Sequence, residues 1–197
     1  WCFFCCFCIM LSLFDELVFY GSYHHNPVNQ LIHFIFVPMI WFTFAVFLHY
    51  ASWTTTDDYS LNAPFVFAMI YVGYYAILDF SWTGFTAGAC YFGLSTLVDP
   101  FVRYFGQEDA WKVALGIHIL SWYMQVHPGH MVFEKRKPAL MDSLKQAVLM
   151  GPLFVFYEAV FYLGFRAEFR ETLNKAIEED IAKFRASQQQ QQQQQQQ

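Results

Sequence analysis

The segment YHHNPVNQLIH, residues 23–33, sets three histidines against the start of a long apolar run: His24, His25 and His33. Imidazole is a common protein ligand for iron and zinc, and a neutral ring tolerates a low-dielectric site better than a carboxylate does. We therefore interpret this segment as half of a metal site. The expected other half lies about a hundred residues later, at His118, His127 and His130.

The rest of the composition indicates a membrane protein. Of 197 residues, 56% are hydrophobic and only 14% are charged, whereas soluble domains contain about 25% charged residues. The apolar residues form blocks of spanning length, at residues 31–50, 63–80, 82–98, 110–127 and 147–165. This pattern predicts an all-α fold, a multi-span transmembrane bundle of about five apolar helices. A net charge of -5 with no basic face excludes nucleic acid as a partner.

The sequence divides into four segments. Residues 1–13 form an apolar, cysteine-rich start, and residues 14–165 are the expected membrane-embedded catalytic domain. Residues 166–187 are predicted to form a polar helix, and residues 188–197 a disordered glutamine tail with no core-forming capacity. Ser12 is expected to cap a first helix that ends near Tyr23, and Pro27 to begin the next.

Topology allows the two histidine clusters to meet. If all five blocks cross a membrane, the loop before the first block and the loop after the fourth fall on the same side. The result holds if the second and third blocks form only a hairpin, for which Gly84, Gly88 and Gly93 suit close helix packing. The lysines and arginines divide almost evenly between the two sides, so the orientation stays open.

Several side chains are candidates for individual roles. His118 lies inside an apolar block, where a polar residue is a functional hypothesis by default. Asn29 precedes His33 by four residues and so shares its helical face, from which it can orient a ligand. Pro128 and Gly129 are expected to interrupt the helix and turn His130 back towards the site, which favours His130 over His127. Gln125 stands nearby as a further contact.

The acidic residues leave alternatives open. Glu158 lies in the middle of the fifth block and is either a metal ligand, an acceptor for a ligand histidine or a neutral structural acid, with a structural role slightly favoured. Asp79, at the end of a block, is expected to reach the membrane interface. Glu134 is as readily a solvated loop residue as a substrate contact. Any one histidine is also explained by simple hydrogen bonding at the interface, and a haem between His33 and His118 is a minor alternative.

The segments FYGSYHHNPVN with His33, and QVHPGH followed by FEKRKPAL, resemble the fungal 2-hydroxy-fatty-acid dioxygenase family of small endoplasmic-reticulum membrane proteins. The resemblance covers roughly residues 14–165. It implies an Fe(II)-dependent, non-haem dioxygenase that uses O2 to shorten 2-hydroxy fatty acids by one carbon, an α-oxidation in phytosphingosine breakdown. It further implies a multi-pass protein of the endoplasmic-reticulum membrane in contact with membrane lipid. The positions that match the family's histidines, and hence the implied iron ligands, are His24, His33, His118 and His130.

Two other classes of function remain open on the sequence. One is a non-catalytic lipid-binding or scaffold protein of the membrane, in which the histidines only form hydrogen bonds. The other keeps the metal but is a zinc-dependent hydrolase. The sequence indicates no oligomeric state.

Overall fold

The computed structural model describes residues 12–51, 62–144 and 146–195, and every regular element in them is helical, which confirms the all-α prediction. The cysteine-rich residues 1–11 and the polar residues 52–61 lie outside the described residues. The α-helices are α1 Leu13–Ser22, α2 Pro27–Ala51, α3 Ala63–Leu78, α4 Trp82–Ser95, α5 Val98–Phe105, α6 Ala110–Met124, α7 Gly151–Tyr162 and α8 Ala167–Gln195. Two π-helices, π1 Gln125–Glu134 and π2 Gln146–Met150, and a 3-10 turn Ala139–Met141 join α6 to α7.

Helix α2 is the element around which the others pack, contacting α3, α6, α7 and π1. Its start follows the sequence prediction, because Pro27 is its first residue and Asn26 Oδ1 accepts the Val28 amide at 2.9 Å. The predicted cap of α1 is also present, since Ser12 Oγ accepts the Asp15 amide at 3.3 Å. Only residues 23–26 separate α1 from α2, so His24 in this turn lies close to His33 in α2.

Helices α3 and α4 pack as the predicted hairpin. A Cβ atom added at Gly88 would lie 3.1 Å from the Cα of Val72, and one at Gly84 would meet the carbonyl oxygen of Asp79. Gly93 faces open space, so close packing requires only two of the three glycines that the sequence singled out.

Asp79 is buried rather than directed to an interface, which corrects the sequence prediction. Its Oδ2 accepts the Tyr157 hydroxyl at 2.6 Å and lies 3.6 Å from Nη1 of Arg166. The same guanidinium donates to Tyr157 Oη at 2.6 Å and to Thr83 Oγ1 at 3.1 Å. A buried carboxylate needs such partners, and this network joins the α3–α4 turn to α7 and to the start of α8.

Within the described residues, α2 is the helix long and apolar enough to cross a membrane. Helix α3 and the π2–α7 segment are apolar but shorter, so the number of five spans stays a prediction. Large apolar side chains are nevertheless exposed around the bundle, with Phe80 at 86% and Tyr162 at 89% exposure. An apolar surface of this kind is typical of contact with lipid or with another protein.

The C-terminal region departs from the sequence prediction. Helix α8 does not end at residue 187 but continues through Gln195, whereas residues 188–197 were expected to be a disordered tail. Glutamine is a good helix former, and extending an existing helix requires no new nucleation, so exposed glutamines can continue α8 without a core. The helix is anchored at its other end, where Leu173 and Ile177 are buried and α8 packs on α1.

Candidate metal centre

Three histidines from three parts of the chain converge in the interior. His24 follows α1, His33 lies in the second turn of α2, and His130 lies in π1; each is at most 3% exposed. One ring nitrogen from each lies within 4.8 Å of the other two. The two histidine clusters of the sequence therefore meet, as the topology argument requires.

Hydrogen bonds fix the orientation of two of the rings. Nδ1–H of His24 donates to the Tyr20 carbonyl oxygen at 2.8 Å, and Nδ1–H of His33 donates to the Asn29 carbonyl oxygen at 2.9 Å. A carbonyl oxygen only accepts, so each Nε2 is the unprotonated nitrogen with a free lone pair. Each acceptor precedes its histidine by four residues, a spacing that can be read from the sequence. Asn29 does orient His33, but through its backbone oxygen.

Two ring nitrogens of this cluster have no hydrogen-bond partner within the described residues. Nε2 of His24 and Nδ1 of His130 are buried and have no hydrogen-bond partner. The pKa of His24 is lowered well below its ordinary value, mainly by burial and further by the neighbouring imidazoles of His33 and His130. Burial also lowers the pKa of His130 to about 4, against a hydrogen bond with the Arg136 backbone that raises it. Both rings are therefore neutral near pH 7, the state that a metal ligand must have.

His130 lies in a π-helical stretch that runs from Gln125 through Pro128 to Glu134. The sequence analysis expected Pro128 and Gly129 to interrupt the helix, but the chain remains helical from Gln125 to Glu134 with π-type hydrogen bonds. In a π-helix residues i and i+5 are joined by hydrogen bonds, so His130 and Gln125 share one face. In an α-helix they would point about 140° apart.

Gly129 allows the close approach of π1 to α2. A Cβ atom at this position would lie 2.5 Å from Asn29 Oδ1 and 3.6 Å from Cε1 of His33. Real Cβ atoms do not approach so closely, so an alanine here would displace the buried Asn29 side chain, which Glu134 holds in place. The sequence shows the glycine, but the contact with Asn29 that requires it joins residues a hundred positions apart and is visible only in the structure.

Glu134, left open by the sequence analysis, holds π1 against the start of α2. Its Oε1 accepts the His25 amide at 3.1 Å. Its Oε2 accepts the Asn26 amide and Nδ2 of Asn29, each at 3.0 Å. Backbone amides at a helix N-terminus favour an anionic acceptor. The carboxylate therefore joins the two halves of the histidine cluster and has no free oxygen directed towards a substrate.

Arg136 has a structural role that the sequence did not reveal. Its Nη1 donates to the Ser22 carbonyl oxygen at 2.7 Å, and its guanidinium lies 3.8 Å from the Tyr23 ring centre and 4.1 Å from that of Phe184. Tyr23 in turn donates to Asp142 Oδ2 at 2.6 Å. These contacts clamp α1, α8 and the segment after π1 around the histidine cluster.

The structure does not bring His118 to the cluster. Its Nε2 accepts the Trp122 indole N–H at 3.0 Å, and its Nδ1 bonds Thr43 Oγ1 at 2.8 Å. Thr43 follows His33 by ten residues in α2, or about 15 Å along the helix axis. Depth within an apolar block cannot be read from sequence, which is why His118 resembled a member of the same site.

The remaining sequence candidates also lie apart from the three nitrogens. His127 is exposed and stacks on Tyr123 with ring centres 5.4 Å apart. His25 is exposed and contributes only its backbone amide. Glu158 is half-buried on α7 and belongs neither to the histidine cluster nor to the cavity beside it.

An apolar slot leads away from the cluster along α2. Its volume is about 310 Å³, and α2 lines it with His33, Val37, Trp41 and Phe44, a stripe at helical spacing. Phe44 follows His33 by eleven residues, which corresponds to about 16 Å along the helix axis. Residues of α3, α6 and π1 form its walls: Phe67, Tyr71, His118, Trp122, Gln125 and Val126. The histidines therefore stand at one end of a long apolar channel.

These three histidines fit a transition metal. Three points no more than 4.8 Å apart share a centre at most about 2.8 Å from each, within about 0.7 Å of a usual metal–imidazole distance. A donor set of three imidazoles suits iron, zinc, copper or nickel, and it leaves coordination positions for other ligands. The buried, unpartnered nitrogens of His24 and His130 are the atoms that such an ion would satisfy.

Comparison with known proteins gives two matches and one absence. The family model described as 2-hydroxy-palmitic acid dioxygenase Mpo1-like matches residues 10–163, which include all three clustered histidines. The 2-hydroxy-palmitic acid dioxygenase MPO1 of Saccharomyces cerevisiae is 38% identical over 170 residues, covering 86% of this chain and 91% of that protein. No solved structure matches the chain.

Proposed function

This chain belongs to the Mpo1-like family of 2-hydroxy-palmitic acid dioxygenases, and from that premise we propose that it is an Fe(II)-dependent dioxygenase of 2-hydroxy fatty acids. The resemblance found in its sequence motifs is thereby confirmed. The proposed product is the fatty acid one carbon shorter, in the breakdown of phytosphingosine-type lipids. The observation that carries the proposal is a set of three neutral, buried histidines at the end of an apolar slot.

The proposed ligand set is His24, His33 and His130, without His118. Fe(II) bound there would supply the one-electron chemistry by which O2 attacks a 2-hydroxy acid. The backbone acceptors of His24 and His33 keep each Nε2 unprotonated and aimed inward. Three neutral ligands would leave the positive charge of the iron uncompensated, so the site would favour an anionic head group. Burial excludes bulk water from the reacting oxygen atoms.

The slot is the proposed site of the acyl chain. Its lining is almost wholly apolar, and its length along α2 is comparable with that of an extended long-chain fatty acid. His118 lines the slot but presents a neutral ring whose two nitrogens are already paired, so it adds no free polar atom beside the chain. Phe44, at the far end, is 43% exposed, which lets the chain enter from outside the bundle.

We further propose that the protein is embedded in the endoplasmic-reticulum membrane as a multi-pass protein in contact with lipid. The apolar helix α2 and the exposed apolar side chains of the shorter helices support this placement. A substrate dissolved in the bilayer would then reach the slot without passing through water. The proposal predicts that the protein is extracted by detergent and not by high salt or alkaline carbonate.

A zinc-dependent hydrolase is the second candidate, because three histidines are also a catalytic zinc donor set. The non-catalytic scaffold remains the alternative without chemistry. Oxygen uptake separates the three. A dioxygenase consumes O2 with 2-hydroxypalmitate, whereas a hydrolase or a scaffold does not.

The experiment uses the full chain purified in detergent under anaerobic conditions. Iron content, O2 uptake and formation of the one-carbon-shorter acid are measured with 2-hydroxypalmitate. We expect His33→Ala and His130→Ala to lose activity by at least about 100-fold. The exposed His127→Ala is the matched control and should retain it. Normal activity in His33→Ala and His130→Ala would contradict the proposal.

A further inference from the structure

A second feature of the slot is a polar side chain with nothing to bind. Gln125 is 7% exposed and lines the slot, and its Nε2 is buried without a hydrogen-bond partner. Leaving a buried amide N–H unsatisfied destabilises a protein, because the group gives up its hydrogen bonds to water and gains none in return. A leucine or methionine would fill the same space without that cost. The amide therefore indicates a polar ligand that binds beside it.

The position of this amide follows from the π-helix. Gln125 is the first residue of π1 and His130 the sixth, so the i to i+5 register places both on the same face. That face is turned towards α2, where His33 lies. The Gln125 amide thus lies at the head-group end of the slot rather than along the path of the acyl chain.

The chemistry of the slot identifies the group that the amide can recognise. No lysine or arginine is among the described residues that line the slot, so the protein offers no side-chain cation to a carboxylate there. A primary amide both donates and accepts a hydrogen bond, and an alcohol hydroxyl does the same. A carboxylate only accepts. The free N–H of Gln125 could donate to either group, but the carboxylate is already accounted for by the proposed metal site, which favours an anionic head group. The neutral amide is therefore left to the adjacent hydroxyl.

We propose that Gln125 binds the 2-hydroxyl of the substrate and so distinguishes 2-hydroxy fatty acids from unsubstituted ones. The inference rests on the proposed function, because it assumes that a fatty acid occupies the slot. An unsubstituted acid would leave the amide unsatisfied, and a buried polar group without its partner is a strong basis for rejecting an analogue. Gln125 acts here as a specificity-determining residue that touches the substrate.

Binding without turnover tests the inference. The iron-loaded chain in detergent is titrated anaerobically with 2-hydroxypalmitate and, separately, with palmitate. We expect the wild type to favour 2-hydroxypalmitate. Gln125→Met, which keeps the length of the side chain, should weaken binding of 2-hydroxypalmitate by about 5- to 100-fold and that of palmitate by less than about 3-fold. Gln107→Leu changes an exposed glutamine before α6 and should alter neither constant.

The outcomes are distinct. An equal loss for both acids, no loss for either, or a wild type that binds the two acids equally would overturn the inference. Gln125→Asn retains the amide and should preserve part of the preference, so it tests the role of the amide if Gln125→Met is unstable. Failure of the proposed function has a separate signature, since a wild type without O2 uptake counts against the dioxygenase whatever the binding constants are.

Discussion

Replacing Glu134 by glutamine should loosen the centre without touching a proposed ligand. The carboxylate accepts three N–H groups, from the backbones of His25 and Asn26 and from the Asn29 side chain. Two of these donors belong to residues that act on a proposed ligand: one is its neighbour in the chain, and the other orients its ring. The His25 amide follows His24, and Asn29 supplies the carbonyl oxygen that orients the His33 ring.

The size of the effect follows from the bonds that change. Glutamine keeps one acceptor oxygen, which can retain the two bonds of Oε2, but its NH2 group opposes the His25 amide. One bond to a charged acceptor is lost, at about 1.5–3 kcal/mol, together with a carboxylate at a helix N-terminus, at about 0.3–1 kcal/mol. Because Glu134 is only half-buried, we expect a total near the lower end, about 2 kcal/mol.

Two measurements check this prediction on Glu134→Gln. Thermal unfolding in detergent should show the loss of stability, and competition with a chelator should show iron affinity lowered by about 10- to 100-fold. Glu178→Gln, on the exposed face of α8, is the matched control and should change neither. An unchanged unfolding midpoint together with unchanged iron affinity in Glu134→Gln would refute the claim that this carboxylate joins the two halves of the site.

Three further predictions follow from the described contacts. Gly129→Ala should lower both stability and iron affinity, because its Cβ would meet Asn29 at 2.5 Å; Gly116→Ala, which faces open space on α6, should stabilise the helix by up to about 1 kcal/mol in the same unfolding assay. Asp79→Ala should lower the unfolding free energy by about 2–3 kcal/mol, because the buried Tyr157 hydroxyl loses its acceptor and the partly exposed Arg166 loses its counter-ion; iron content should be unchanged. The metal-free protein should lose stability as the pH falls from 6.5 to 4, since the unfolded chain then binds a proton that His130 with its pKa of about 4 does not. The slope is at most about 1.4 kcal/mol per pH unit for this group, and it should be reduced in His130→Phe when unfolding midpoints are measured against pH.

Local chemistry was enough to predict where the helices that carry the site begin. Ser12 and Pro27 have strong positional preferences that depend only on neighbouring residues, and both start helices as expected. The meeting of the two histidine segments was predicted from topology. His130 is buried and His127 is exposed, as the preference for His130 predicted. Pro128 indicated that the regular α-helix is disturbed at this point, although not that it becomes a π-helix.

Other features depend on contacts that a single sequence does not contain. The apolar pattern of one turn cannot distinguish i+4 from i+5 hydrogen bonds, so the π-helix that pairs Gln125 with His130 was not foreseen. The partners of Glu134 lie more than a hundred residues away. His118 was assigned to the metal because it lies in an apolar block and matches a histidine of the family, but Thr43 and Trp122 bond both of its ring nitrogens without an ion.

The iron content of four single variants tests the central claim, that three histidines and not four hold the metal. Elemental analysis is carried out on the wild type and on His24→Ala, His33→Ala, His130→Ala and His118→Ala, each purified in detergent and loaded under identical conditions. We predict about one iron per chain in the wild type and in His118→Ala, and none above background in the other three. Loss of iron in His118→Ala as complete as in His33→Ala, or full iron retention in any of the three clustered variants, would contradict the account.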